Sequence, residues 1–310
     1  MYRRAVLASV GSVLAAGCLS ESTPGGVGME PSSTTPTRKT STRGTPTTAT
    51  EPTLRIPDEN RCPPFGDQRV VCYQNADSDA TLLAEPSTER ATLPKATLSF
   101  TLTNETGATF TTNYYDWSVW KLVDEEWFRI APRIVPEPAT MLDTGNSHAW
   151  NVTVDNTDLG RALPRAEGTE SVALAGLGGG TYAFGISGWL EGQSYEDGVG
   201  VAARFELAGD PLRLAPTDDL TVVGRDGDEK RVRSSSADAV YVATRVEGVE
   251  SPPIRKIPEQ VVRVTPLRNL LASFEDGVRR VRLDGRESAS LGLERRVIEY
   301  EGATYRIEEA

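Results

Sequence analysis

The chain has 310 residues, 33 of them basic and 44 acidic, for a formal net charge of −11. An excess of acid on this scale excludes the electrostatic footprint of a nucleic-acid binder, and anionic headgroups repel it, so any tie to a membrane must come from something other than a basic patch. With one histidine, His148, and three cysteines, Cys18, Cys62 and Cys72, the usual zinc sets and Ser-His-Asp constellations are sharply weakened, and no cofactor is expected.

Arg3 and Arg4 precede an uncharged run of small and apolar residues from Ala5 to Gly17. The run is too short for a spanning helix, which needs about 20 apolar residues. A charged start, a short apolar stretch and a small-residue end predict a signal peptide over residues 1–17. The paired arginines suit the twin-arginine export route and leave the general secretory route open. Leu14-Ala15-Ala16-Gly17-Cys18 resembles the lipobox of prokaryotic lipoproteins. That resemblance implies cleavage before Cys18, lipidation of its thiol and retention on the extracellular face of the cell membrane. One acyl chain anchors only marginally, so a diacyl lipid or a second contact is expected.

From Ser20 to Thr53 the chain is dominated by Ser, Thr and Pro. Apolar residues that would offset the entropy of ordering are nearly missing, so residues 18–57 read as the lipidated cysteine followed by a disordered linker, biased like an O-glycosylated stalk. Cys62 and Cys72 then flank Pro63-Pro64 and Gly66-Asp67. Outside the cell two such cysteines predict a structural disulfide, with turn residues that let the segment fold back. Closing the loop contributes roughly 3 kcal/mol.

Between Arg69 and Leu207 the periodicity is that of strands. Val70–Tyr73 and Thr81–Leu83 open it, and Leu98, Phe100 and Leu102 alternate on one face of the next. After the turn Asn104–Gly107 come Tyr115–Val119 with Trp120–Val123, then Trp127–Ile130, a Pro-rich stretch, His148–Val154, Thr181–Ile186 and Val199–Leu207. Roughly seven short strands divided by turn residues predict an antiparallel sandwich, mainly β, over residues 58–209. The order of the Leu98…Asn104 strand, the aromatic strand ending at Trp120, the Trp127 hairpin, the Gly145…Trp150 strand and the Gly180…Phe184 strand resembles a prokaryotic immunoglobulin-like domain. The resemblance implies a fold and no ligand.

Residues 210–310 read as a small α+β domain of no recognised family. Leu220–Val223 and Ala239–Ala243 are strands, and Pro258–Val264 is a short helix. Thr265–Phe274 is the clearest helix of the chain, with Thr265 as cap, Pro266 first, Gly277 beyond the end, and Leu267, Leu270, Leu271 and Phe274 on one face. Val278–Leu283 and a hairpin over Val297–Ile307 close the chain.

Only five of the basic residues are lysines (Lys39, Lys95, Lys121, Lys230 and Lys256). Abundant acid, scarce lysine and much arginine resemble the proteins of halophilic archaea, whose surface carboxylates keep them soluble in strong salt. Gly185-Ile186-Ser187-Gly188 falls one residue short of a nucleophile elbow and lies in a β pattern. The acidic turns Asp155–Asp158 and Asp226–Glu229 match no calcium loop and read as solvated turns. Asn104-Glu-Thr and Asn151-Val-Thr are glycosylation sequons, with Asn104 in a turn the better placed. All five tryptophans lie between residues 117 and 189. Core filling accounts for most of them, but Trp117 and Trp120 have opposite parity in one strand, so one faces outward, and Trp189 sits among turn glycines. Trp117, Trp120 and Trp189 are thus the candidate binding surface, for a protein or glycan partner. The expected role is a membrane-anchored extracellular lipoprotein that binds or scaffolds at the cell surface and is not an enzyme. A carboxylate-dependent surface hydrolase and a structural envelope component are the alternatives.

Overall fold

The computed structural model describes residues 62–249, 251–286 and 296–310. The leader, Cys18 and the Ser/Thr/Pro-rich stretch lie outside the described residues. The described residues belong to one compact unit, mainly β, in which a β-sandwich is followed by a small α+β region.

The sandwich strands are β1 (Arg69–Cys72), β2 (Leu82–Pro86), β3 (Arg90–Thr92), β4 (Lys95–Asn104), β5 (Phe110–Thr112), β6 (Ser118–Val123), β7 (Glu126–Ala131), β8 (Thr140–Leu142), β9 (Asn146–Asp155), β10 (Ser171–Leu174), β11 (Gly180–Leu190) and β12 (Val199–Ala208). β11 is the spine of an eight-stranded sheet. β12 runs antiparallel along one of its edges, while β6 and β5 share the other. β12 carries β1 and β3, β6 carries β7, and β5 carries β8. The opposing sheet has four strands in the order β10-β9-β4-β2.

Period-2 alternation aims the core residues. Leu98, Phe100 and Leu102 of β4 and Trp150, Val152 and Val154 of β9 are buried, and Val119, Phe184 and Val201 meet them from the larger sheet. The Phe100 and Phe184 rings stack across the gap, with centroids 4.4 Å apart. Each such side chain contributes about 1.5–3 kcal/mol on leaving water. The pairing is not purely antiparallel as expected: β1 and β3 lie parallel to β12, and β10 lies parallel to β9. Alternation is the same for either strand direction, so the sequence pattern does not carry this information.

The C-terminal part holds β13 (Thr221–Asp226), β14 (Glu229–Arg233), β15 (Ala239–Arg245), β16 (Ile254–Arg255), α1 (Pro258–Val261), α2 (Thr265–Leu271), β17 (Arg280–Gly285), β18 (Arg296–Tyr300) and β19 (Ala303–Glu309). Its seven strands form one sheet in the order β13-β14-β17-β15-β19-β18-β16. Leu267, Leu270 and Leu271 of α2 share a core with Tyr241, Ala243, Val281, Leu283 and Ile307. The helix differs from expectation at its start. Val264, not Thr265, is the N-cap and makes no side-chain capping bond, because Thr265 is already helical. Phe274 lies past the last turn and packs on Tyr305, centroids 4.8 Å apart.

A polar seam joins the sandwich to this part. Parity in β6 turns Lys121 inward with Val119, and its ammonium pairs with Glu259 of α1. The Glu259 carboxylate also accepts from Gly178 N–H at 3.1 Å and from the Tyr182 hydroxyl at 3.4 Å. Burial and that neighbouring charge push the Tyr182 hydroxyl far above its ordinary range, so it stays protonated. Arg268 of α2 ties four backbone carbonyls together, donating to Leu159, Arg161, Ala215 and Pro216 at 2.6–3.2 Å. Gly179 allows the close approach: a Cβ there would lie 2.0 Å from the carbonyl oxygen of Gly209.

Candidate functional site

The outer face of the eight-stranded sheet carries a groove of about 530 Å³, within the roughly 300–1,000 Å³ of small-ligand sites. Its floor is Ser118 and Trp120 of β6, Arg129 of β7 and Ser187 of β11. One wall is the Pro64–Gln68 loop, and Tyr195 and Glu196 form the other.

The loop wall is built by the disulfide. Cys62 and Cys72 are bonded, with Cα atoms 5.7 Å apart. Gly66 turns the chain at φ +59°, and Gln68 N–H donates to Phe65 O at 3.1 Å. The Phe65 ring then lies in a slot opened by Gly185 and Gly200, where a Cβ would come within 2.7 and 2.6 Å of it. Gly185-Ile186-Ser187-Gly188 is therefore a stretch of β11 whose first glycine makes room for a ring. The Phe65 and Trp120 rings meet edge to face at 6.3 Å. On the other wall Tyr195 is 69% exposed and packs edge-on against Trp189 at 5.5 Å.

The groove is also charged. Asp116, Asp67, Glu196 and Arg129 line it, and Arg129 pairs with Asp116 at 3.5 Å. Burial raises the Asp116 carboxyl above its ordinary value, and the Arg129 charge opposes the shift. Trp120 Nε1 and Gln68 Oε1 are buried with no hydrogen-bond partner among the described residues. Aromatic rings beside a carboxylate, a guanidinium, an amide and two hydroxyls can stack on an apolar ring face and hydrogen-bond its polar rim at once.

The three candidate tryptophans separate. Trp120 floors the groove and Trp189 buttresses Tyr195. Trp117 does not reach the surface: it is 0% exposed, donates to Thr169 O at 3.0 Å and stacks on Phe184. Parity put the two rings on opposite faces without saying which was inward; Trp117, just before β6, took the core, where Phe184 and Thr169 O meet it.

The sequons reverse their order. Asn104 is fully buried, and its Nδ2 donates to Ala108 O at 2.8 Å and Leu142 O at 2.7 Å, so the turn is built around the atom a glycan would need. Asn151 is exposed on the outer side of β9, as is Thr153. Cys18 lies outside the described residues. His148 stacks on Tyr114 at 3.6 Å, and burial lowers its pKa. The acidic turns are held by cations and hydroxyls: Asp155 by Lys95 and Thr157, Asp226 by Arg231, and Glu229 by Arg231 and Arg280. Among the described residues no three His, Cys, Asp or Glu side chains gather as a metal site.

The Phe65 wall and the Tyr195 wall escaped the sequence reading. A signal existed in Gly185 and Gly200, since glycines inside strands mark a close approach, but nothing local names the ring that fills the slot. No known family's sequence profile matches the chain, and no characterised protein is significantly similar to it.

Proposed function

We propose that this is a lipid-anchored protein of the extracellular cell surface that binds a glycan in the groove over β6, β7 and β11. The leader and the Leu14–Cys18 lipobox support the location, and the acid-rich, lysine-poor composition supports a salt-rich exterior. The observation that carries the binding role is Trp120 on the floor of a groove walled by Phe65 and Tyr195, with the Asp116–Arg129 pair beside it. Sugars offer an apolar C–H face to such rings and hydroxyls to such polar groups. The linker from residue 18 to 57 would let the groove reach past the membrane surface by about 5–6 Å × √n, more where proline stiffens it.

The test is retention of the soluble chain from residue 58 onward on an array of immobilised oligosaccharides. Trp120→Ala and Tyr195→Ala should each lower retention at least tenfold with an unchanged melting temperature. Retention of no saccharide contradicts the reading.

One observation favours hydrolysis in the same groove as the second reading: burial raises the Asp116 carboxyl, against the opposing Arg129 charge, in a groove that Asp67 and Glu196 also line, and a general acid needs such a raised carboxyl. Release of reducing ends from a retained oligosaccharide, lost in Asp116→Asn, would establish it.

A further inference from the structure

The outer face of the four-stranded sheet differs from the other strand faces of this chain. A quarter of all residues are charged. On the C-terminal sheet the outward positions of β14 and β17 follow that composition closely: Glu229, Arg231, Arg233, Arg280, Arg282 and Asp284. On the four-stranded sheet the outward residues of β4 from Thr97 to Thr103, of β9 from Ser147 to Thr153, and Ser171 and Ala173 of β10 include no charge at all. They are Thr, Ser, Ala and a single Asn. The charges stand at the rim, where Lys95 pairs with Asp155 at 3.0 Å and Glu85 lies on the edge strand β2.

The single Asn is Asn151, and it sits inside that face. β9 is an interior strand, and Asn151 lies opposite Ser99 of β4 on one side and Ser171 of β10 on the other. Its main-chain N–H is spent on Glu170 O at 3.1 Å. Its side chain is exposed and makes no hydrogen bond among the described residues. Val152 points into the core, so strand parity returns Thr153 to the outer side, exposed beside Asn151. Both side chains of the Asn-Val-Thr sequon are therefore presented outward, whereas the Asn104 amide is locked into its own turn.

We infer that Asn151 carries an N-linked glycan that lies over this uncharged face. Nδ2 forms the bond to C1 of the first sugar, the bond from C1 to the phosphate of a lipid-phosphate-linked oligosaccharide breaks, a proton leaves Nδ2 for a base, and the lipid phosphate departs. Once attached, the glycan is held at high local concentration above Thr and Ser hydroxyls, which give and take hydrogen bonds with sugar hydroxyls. Carboxylates in those positions would have to shed water to be covered, and the face has none. The sandwich then has one face under its own sugar and the other, with the groove, left open. The inference rests on the extracellular location proposed above and is independent of the groove.

The test uses the native protein purified from its own membranes after labelling of whole cells with a membrane-impermeant reagent. Glycopeptide mass spectrometry reads Asn151 in wild type, Asn151→Gln, Thr153→Ala and Thr153→Ser. Sugar on Asn151, absent in Asn151→Gln and Thr153→Ala and kept in Thr153→Ser, supports the attachment. Coverage is read by the rate at which a bulky maleimide labels Thr101→Cys on the same face, with Thr221→Cys on the C-terminal sheet as the control. The Thr101→Cys rate should rise at least fivefold when Asn151→Gln is added, and the control rate should not change. Surface-labelled protein with a bare Asn151 overturns the inference and leaves the location standing. Protein that the reagent does not reach, and that carries no sugar, overturns both. A glycan with equal maleimide rates in the two backgrounds overturns the coverage. Oligosaccharide retention by the groove should be the same in Asn151→Gln, so failure here is distinct from failure there.

Discussion

Lys121 shows how strand parity can carry a charged side chain into the interior. β6 turns it inward, where a lysine belongs only if something opposes it, and Glu259 arrives from 138 positions away. Their side chains are 10% and 1% exposed, so removing one partner strands the other charge. Lys121→Met should destabilise the protein by about 3–5 kcal/mol in urea denaturation, and Lys121→Met/Glu259→Leu should recover much of that loss. Asp155 is the opposite case, a surface carboxylate. The Thr157 hydroxyl and N–H, and then Lys95, lower it from 3.8 to about 2. A depressed folded-state pKa means that its stabilising contribution is present above about pH 4 and lost as pH falls towards 2. Wild type should therefore lose more stability between pH 4 and pH 2 than Asp155→Asn, measured by denaturation at each pH. Asn104 and Asn151 were equally readable as sequons, but burial decides between them. Glycopeptide mass spectrometry of the native protein should find sugar on Asn151 and none on Asn104.

Elements were legible in the sequence where their period is long and clean. β4, β9 and β12 announce themselves through alternating Leu, Phe, Val and Trp, and α2 through its Leu face. The three-residue strands β3, β5 and β8 and the four-residue β10 span too few residues for a period to register, and they are the sandwich strands that the sequence pattern does not announce. The turn residues between Cys62 and Cys72 predicted a folded-back, disulfide-closed loop. Where that loop docks depended on Gly185 and Gly200, more than 110 residues further along the chain. The loop is a wall of the groove, so Cys62→Ser/Cys72→Ser should cost about 3 kcal/mol of stability. It should also weaken glycan binding under conditions where the fold is retained, read by circular dichroism beside the array.

At the scale of the whole molecule, sandwich and α+β region share buried charge and backbone bonds as well as the apolar contact of Ile257 with the sandwich core. Lys121–Glu259, Arg268 on Leu159 and Arg161, and Gly178 on Glu259 all cross the seam. A chain cut at residue 209 would lose the Glu259 partner of Lys121, the Arg268 bonds to Leu159 and Arg161 and the cover of Ile257 on the sandwich core, and should melt well below the longer protein. The groove lies wholly on the sandwich side of that seam, and the C-terminal part touches its floor strand where Gln260 Nε2 donates to Arg129 O at 3.0 Å. The central proposal is that the groove over β6, β7 and β11 is where the protein binds a glycan. The most direct measurement is oligosaccharide-array retention of wild type and Trp120→Ala, side by side, at matched melting temperature. The account predicts retention of at least one saccharide by wild type and a loss of at least tenfold in the variant. Equal retention by the two proteins, or none by either, would contradict it.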